Sequence, residues 1–324
     1  MFKWKKIGRI FNPVDYQETS WLYEYAQTPN TLEFDDFIRV YFTTRMKPDE
    51  NGRIKSLIAY ADYDKTNLLK PVRISEKPVL SLGERGCFDE FGTYLFSPVR
   101  ISDNHIMSYY VGFTCPKSVP INSAIGLAES FDNGKTFEKA GQGPVLGHSL
   151  YEPFLVSSHK ARKFGDTFYL FYIAGYKWAE KDGKIEPVYK LRMATSKDGK
   201  KWIRLNKNII ENKIGDLEAQ ACPDVFYKNG KYHMFFCYRG AFDYRRNPKF
   251  SYRIGYAYSY DLYNWQRNDC YAGIDISEDA AAFDNEMVAY PHVFELNSKI
   301  YMLYLGNQVG RYGFGLAELE GDLI

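Results

Sequence analysis

A proline-led, aromatic-rich unit occurs five times along the 324 residues of this chain. The five prolines are Pro29, Pro98, Pro153, Pro223 and Pro291, at successive steps of 69, 55, 70 and 68 residues. After each proline comes a short apolar run, then a polar turn and an aromatic run. An internal repeat of this kind predicts similar supersecondary units packed side by side.

Each unit is predicted to hold four strands. Aromatic and β-branched runs bounded by turn residues predict second strands at 37–45, 106–113, 168–174, 232–238 and 300–305. Third strands are predicted at 55–61, 123–129, 190–195, 252–258 and 312–318. Three third strands run into Ser-x-Asp turns that begin at Ser130, Ser196 and Ser259, and an aromatic residue then starts a fourth strand. These turns resemble sialidase Asp boxes, but we interpret them as hairpin turns only. The sequence therefore predicts an all-β fold, a five-bladed β-propeller of four-stranded antiparallel blades.

One domain is predicted over residues 1–324. The blades span approximately 25–85, 86–146, 147–210, 211–269 and 270–324, and residues 1–24 close the ring. A two-domain arrangement is the alternative, which the regular spacing argues against. No helix is predicted, and residues 180–186 are predicted to be a charged loop.

Composition and motifs exclude several classes of function. The net charge of +2 gives no reason to expect nucleic-acid or membrane-surface partners, and no stretch approaches 18 apolar residues. Five cysteines without a CxxC motif predict reduced thiols and a cytoplasmic location. The chain lacks GxGxxG, Walker A, HExxH and G-x-S-x-G motifs, and its histidines fit no closed zinc pattern. No cofactor or metal is therefore predicted.

Carboxylates recur just before the innermost strand of several blades, where a propeller gathers its axial residues. Glu152 directly precedes Pro153, and Glu218 and Glu286 lie five residues before their prolines. Paired carboxyl groups suit glycosidic chemistry, in which one acid protonates the leaving oxygen. We predict Glu152, Glu218 and Glu286 as catalytic residues, with Glu152 as the acid. A solvated loop charge is the alternative for each residue taken singly.

Further residues are predicted to bind substrate at the same end of the propeller axis. They lie near the prolines or in the loops between second and third strands: Glu24, Arg45, Asp89, His148, Asp224, Arg239, Tyr290, His292 and Asn307. The same loops carry Tyr176, Lys177, Trp178, Tyr244, Arg245, Arg246 and Lys249. Guanidinium groups favour carboxylates and phosphates. The predicted partner is a carbohydrate, which includes anionic and phosphorylated sugars.

With these features the chain resembles the five-bladed propeller glycosidases, glycoside hydrolase families 43, 32, 62 and 68, and more distantly the family 130 mannoside phosphorylases. The resemblance rests on the five units, on turns such as Ser196–Trp202, and on Glu152-Pro153. It implies a catalytic Asp before the prolines of blades one and two, where this chain has Thr28 and Ser97. In family 130, phosphate replaces that base, and Arg45, Arg239 and His148 are the residues that the resemblance offers for holding it.

Three functions follow as hypotheses. The first is a glycoside hydrolase or transglycosylase with Glu152 as acid. The second is a phosphorylase or transferase that uses phosphorylated or nucleotide-linked sugars. The third is a propeller that binds glycans without catalysis, which the missing axial aspartates favour.

Overall fold

The computed structural model describes residues 1–16, 20–50, 52–245 and 247–324. The described strands form five antiparallel four-stranded sheets. The first strand in the chain is Trp4–Phe11 (β1). Blade one contains Glu24–Glu33 (β2), Phe37–Arg45 (β3), Ser56–Asp64 (β4) and Arg73–Ile74 (β5). Blade two contains Thr93–Ser102 (β6), His105–Thr114 (β7), Asn122–Ser130 (β8) and Glu138–Lys139 (β9).

Blade three contains Val156–Phe164 (β10), Thr167–Lys181 (β11), Lys184–Ser196 (β12) and Ile203–Arg204 (β13). Blade four contains Ala219–Lys228 (β14), Lys231–Arg239 (β15), Arg253–Ser259 (β16) and Gln266–Arg267 (β17). Blade five contains Ala289–Leu296 (β18), Lys299–Leu305 (β19) and Phe314–Leu319 (β20), and β1 is its outer strand. The described helical segments are short: Pro13–Tyr16, Asp269–Tyr271 and Asn307–Gly310 (α1).

This architecture confirms the predicted five-bladed propeller of four-stranded blades. The first and last strands of the chain pair with each other, since Trp4 lies opposite Leu319 and Phe11 opposite Phe314. Pairing a chain's two ends in one sheet closes a ring of blades and leaves no open edge between them. The three Ser-x-Asp turns are hairpin turns, as predicted. In the second of them, for example, the Asp198 carboxylate accepts the amides of Lys200 and Lys201.

The innermost strands share a bulge that the prolines mark only in part. In each of them one residue has a left-handed backbone, with φ between 44° and 55°: Thr28, Leu95, Ser158, Cys222 and Tyr290. These residues recur at intervals of 67, 63, 64 and 68, which is more regular than the proline spacing. The proline alignment is therefore wrong in two blades. Pro98 lies three residues beyond the bulge of blade two, and Pro153 lies five residues before that of blade three.

The segment predicted to be a charged loop is a β-hairpin. Strands β11 and β12 continue past the propeller body, with Ala179 opposite Glu186 and Lys181 opposite Lys184. Tyr176, Lys177 and Trp178 therefore lie in strand β11, not in a loop as predicted. The tip of the extension, residues 180–184, is charged, which gives it the composition of a loop, whereas Trp178 packs against the core. Its consequence is that one hairpin of blade three projects beside the propeller axis.

Candidate functional site at the axial mouth

A cavity of about 560 Å³ opens where the innermost strands begin, which we call the mouth. Its volume is in the usual range for a small-ligand site. All five blades contribute to its walls. The side chains that line it include Tyr25, Arg45, Glu186, Tyr189, Arg239, Tyr244, Arg245, Tyr252 and Tyr290.

Arg239 lies in the wall of the mouth, where hydrogen bonds hold its guanidinium group in one orientation. It ends strand β15 and is only 2% exposed. Its Nε donates to the Tyr252 hydroxyl and its Nη2 to the Tyr189 hydroxyl, both at 3.1 Å. Its Nη1 donates to the carbonyls of Gly240 and Ala241. The guanidinium therefore orients two phenol groups that face the cavity.

These phenols are neutral hydrogen-bonding groups. The Tyr189 and Tyr252 hydroxyl oxygens are 3.1 Å apart. Burial raises the pKa of Tyr252 and of Tyr290 well above the ordinary value, and it raises the pKa of Tyr244 to about 12 despite Arg239. The wall can therefore stack against a ligand ring and donate to its oxygens at neutral pH.

Two more arginines and one carboxylate complete the charged groups of the mouth. The Arg45 guanidinium lies 3.9 Å from the centre of the Tyr25 ring, and no ion pair involves it in the described ranges. The Arg245 Nη1 lies 3.6 Å from Glu186 Oε1, and the Arg239 Nη2 lies 3.9 Å from Glu186 Oε2. Among the described residues, Glu186 is the only carboxylate that lines the cavity. Three guanidinium groups thus face one carboxylate, which favours an anionic ligand.

Beneath the mouth a buried polar cluster fills the propeller axis. The Asp224 carboxylate accepts hydrogen bonds from Arg162 Nη2 at 2.5 Å, from His292 Nδ1 at 2.9 Å and from the amide of Val293 at 2.6 Å. Lys160 Nζ lies 3.5 Å from Asp224 and also contacts Asn30. These residues come from the innermost strands of blades one, three, four and five, so the cluster ties those blades together.

The charges of this axial cluster depend on one another. Burial lowers the pKa of Lys160 to about 7, against the opposing effect of Asp224. Burial also lowers the pKa of His292 to about 3, so this ring is neutral. Burial alone would raise the pKa of Asp224, but Arg162, Lys160 and His292 hold it far below its usual range. Asp224 is therefore the counter-ion for the buried Lys160 and the partly exposed Arg162.

Three of the predicted site residues lie instead inside the blades, where each binds the outer strand. Glu152 is 1% exposed, and its carboxylate lies 3.1 Å from both Arg192 Nη1 and Arg204 Nε and accepts from Tyr172. In blade four, Glu218 lies 2.6 Å from Arg267. The same arrangement joins Asp89 to Lys139 and Asp284 to Lys6.

We call these carboxylates the blade latches: Asp89, Glu152, Glu218 and Asp284. Each one joins the segment before the innermost strand to a cation on the outermost strand. Their recurrence in the sequence follows from this repeated contact. None of them lines the mouth cavity, so the predicted convergence of Glu152 and Glu218 at the axis is not found.

The remaining predicted residues are divided between the mouth and the outer surface. Arg45, Arg239 and Tyr290 line the mouth, and Asp224 and His292 lie directly beneath it. Glu24 pairs with Arg311 at 2.8 Å beside the mouth. Glu286 and Asn307 line a separate surface cavity of blade five, in which the Asn307 side chain accepts from the Glu286 amide. His148 is exposed and hydrogen-bonds Asn122 at 2.9 Å, away from the mouth. Arg246 lies outside the described residues.

Sequence reasoning missed Glu186, Tyr189, Tyr252 and Lys160. Glu186 lies in the segment predicted to be a charged loop, Tyr252 lies in a predicted third strand, and Tyr189 directly precedes one. Lys160 carried a usable signal, because alignment on the left-handed residues places it in one column with Asn30, Asp224 and His292. No described group of three or more His, Cys, Asp or Glu side chains could hold a metal ion. Within the described ranges, no helix has the length and apolar character needed to span a membrane.

Comparison with known proteins gives relatives in sequence and in structure. No family model matches the chain. Two Mycobacterium tuberculosis proteins, uncharacterized protein MT1551 of strain CDC 1551 / Oshkosh and uncharacterized protein Rv1502 of strain ATCC 25618 / H37Rv, are each 34% identical over 317 residues. That alignment covers 98% of this chain and 99% of each relative.

Solved structures with the same fold carry glycosidase names. One described as a glycoside hydrolase aligns with a TM-score of 0.75 at 19% identity, over 98% of this chain and 92% of its own. A second structure comes from the GH130 family, described as mannoside phosphorylases that include glycoside hydrolases targeting β-1,2 mannosidic linkages in Candida mannan. It aligns with a TM-score of 0.69 at 13% identity, over 98% of this chain and 94% of its own. A thermostable family-43 glycoside hydrolase aligns with a TM-score of 0.59 at 14% identity, over 94% of this chain and 90% of its own. At these identities the likeness concerns the fold, which is that of the glycosidase propellers.

Proposed function

This chain belongs to the same family as the M. tuberculosis proteins MT1551 and Rv1502, and we propose that it is a carbohydrate-active enzyme that cleaves or forms a glycosidic bond with phosphate as the second reactant. The observation that carries the proposal is the charge of the mouth, where three arginines face one carboxylate. Hydrolysis by the usual route needs two carboxyl groups on either side of the bond. A phosphate nucleophile held by guanidinium groups needs only one acid.

In this reaction the mouth residues have distinct roles. A phosphate oxygen attacks the anomeric carbon while the bond from that carbon to the leaving oxygen breaks. Glu186 supplies the proton that the leaving oxygen takes up. Arg45 and Arg245 hold the phosphate, and Arg239 positions the Tyr189 and Tyr252 hydroxyls that bind the sugar. A phosphate bound by Arg245 competes with Glu186 for that arginine, which leaves the Glu186 carboxyl group available to the leaving oxygen.

The test measures product formation in both directions. We expect α- or β-linked sugar 1-phosphates with saccharide acceptors to release inorganic phosphate, and glycosides to be cleaved only when phosphate is present. The Arg45→Met/Arg245→Met variant should raise the KM for phosphate at least about tenfold, because it loses two charged phosphate contacts. Arg53→Met is the matched control, since Arg53 is exposed and does not line the mouth. Cleavage at an equal rate without phosphate would contradict the proposal and indicate a hydrolase.

A second candidate is glycan binding without catalysis. It is favoured by the pairing of Glu186 with Arg239 and Arg245, because these ion pairs engage the carboxylate that would otherwise act as the acid. This candidate predicts sugar binding at the mouth without product in either direction, with or without phosphate.

A further inference from the structure

A row of aromatic side chains crosses the seam between blades three and four at the end of the propeller opposite the mouth. We call it the aromatic row: Tyr227, Tyr232, Phe164, Tyr169 and Tyr263. Ring centres are 4.7 Å apart for Tyr227 and Tyr232, 5.1 Å for Tyr232 and Phe164, and 5.7 Å for Phe164 and Tyr169. Tyr263 lies beside Tyr169, and burial together with Tyr263 raises the pKa of the Tyr169 hydroxyl. Tyr227 is 51% exposed and Tyr263 is 40% exposed, so the row has a solvent-facing surface at both ends.

The fold does not require aromatic residues at the two exposed ends. With the innermost strands aligned on their left-handed residues, Tyr227 occupies the position of Glu33, Arg100, Lys163 and Glu295. Four blades thus carry a charge where blade four carries a tyrosine. Tyr263 lies in the Ser-x-Asp turn of blade four, and the same turn of blade three has Lys200 at that position.

Two other seams of the propeller contain polar contacts at this level. Lys228 pairs with Glu295 at 2.8 Å between blades four and five. Arg100 donates to the Glu33 carbonyl between blades one and two. The aromatic row is therefore a local departure from the repeat, and a charged or polar seam would satisfy the packing.

The chemistry of the row favours a neutral ligand. Lys163 lies 5.5 Å over the Phe168 ring and Lys228 is paired with Glu295, so these nearby cations are engaged elsewhere. The surface offers ring faces, which carry partial negative charge and attract C–H groups, and hydroxyls that both donate and accept. A hydroxyl-bearing ring with one C–H face matches both features.

We propose that the aromatic row binds a segment of a neutral polysaccharide, at a site separate from the mouth. The choice of a glycan as the ligand rests on the proposed function. The row and the mouth lie at opposite ends of the propeller, so one chain segment bound at the row holds the enzyme on its polymer while the mouth acts on a sugar. The row itself contains no carboxylate or cation and binds without chemistry.

The test is native gel electrophoresis through gels that contain soluble neutral polysaccharides, with mannan, arabinan, xyloglucan and pullulan as probes. We expect at least one polysaccharide to retard the wild-type protein. The Tyr227→Glu/Tyr263→Lys variant, which carries residues that other blades have at these positions, should bind about tenfold more weakly or not at all. Its thermal unfolding should remain close to that of the wild type.

Two controls separate this proposal from the proposed function. Tyr260→Ala removes a tyrosine that is 66% exposed and lies edge-on to Tyr258, outside the row, and it should leave the retardation unchanged. Arg45→Met/Arg245→Met disables the mouth and should also leave retardation unchanged. Absence of retardation with all four polysaccharides, or equal retardation of the Tyr227→Glu/Tyr263→Lys variant, would overturn the aromatic-row proposal whatever the activity of the mouth.

Discussion

The Asp224→Asn variant is expected to lose about 3–5 kcal/mol of its free energy of unfolding. Asp224 is 1% exposed and is the carboxylate of the axial cluster, with Arg162 at 2.5 Å and Lys160 at 3.5 Å. The change keeps the side chain's shape but leaves the buried Lys160 and the partly exposed Arg162 without their counter-ion. Removing one partner of a buried ion pair costs far more than the pair contributes as a whole. Urea unfolding followed by tryptophan fluorescence measures the loss.

Two companion variants show whether the effect comes from the buried charge. Asp166→Asn changes an exposed carboxylate in a turn of blade three and should stay within about 0.5 kcal/mol of the wild type. Adding Lys160→Met to Asp224→Asn removes one of the two unpaired cations and should restore part of the lost stability. A single Asp224→Asn variant as stable as Asp166→Asn would show that the axial cluster does not hold the blades together.

The Arg239→Lys variant is expected to lower kcat/KM by about 10²–10³-fold, the range found when one preorganised donor is removed from an active site. Lysine keeps the positive charge but has only three donors and no planar fork, so it cannot replace the hydrogen bonds of Arg239 to two hydroxyls and two backbone carbonyls together. Arg239 is a positioning residue, because it acts on the substrate through these two hydroxyls. Both substrate KM and kcat should change, since the phenols contact the sugar before and during bond cleavage.

The matched control for this prediction is Arg253→Lys. Arg253 lies in the neighbouring strand β16, donates to the carbonyls of Tyr252 and Glu286, and does not line the mouth. Its replacement should change kcat/KM less than about threefold. Equal losses in the two variants would indicate general loosening of blade four instead of lost orientation at the mouth.

The regular parts of this fold follow from short-range patterns in the sequence. The second strands are predicted within a few residues, apart from the extension of β11, because short aromatic and apolar runs bounded by turn residues suit strands buried on both faces, as β3 and β7 are. The Ser-x-Asp turns were predicted because their hydrogen bonds are local, as those of Asp198 show. Such contacts form within one blade, so they can be predicted without knowing which blade packs beside it.

The site was harder to predict because the alignment of equivalent residues between blades depends on backbone conformation. The left-handed positions hold residues as different as Leu95, Ser158 and Tyr290, so no side-chain type marks them. Proline follows only some of them, and the alignment on Pro153 therefore placed Glu152 at the axis. Carboxylates such as Glu152 recur before the innermost strands because the blade latches repeat from blade to blade. In the sequence, a repeated structural contact looks the same as a repeated site residue.

The most direct measurement of the central claim compares Glu186→Gln with Glu152→Gln in one phosphate-dependent turnover assay, with the fraction of folded protein measured for each. If the mouth is the active site, Glu186→Gln loses at least about 10²-fold in kcat, as expected for removal of a general acid. Glu152→Gln then keeps most of its turnover per folded molecule although it is less stable. The opposite result, an inactive but folded Glu152→Gln and an active Glu186→Gln, would contradict the account and place the chemistry at the carboxylate of blade three.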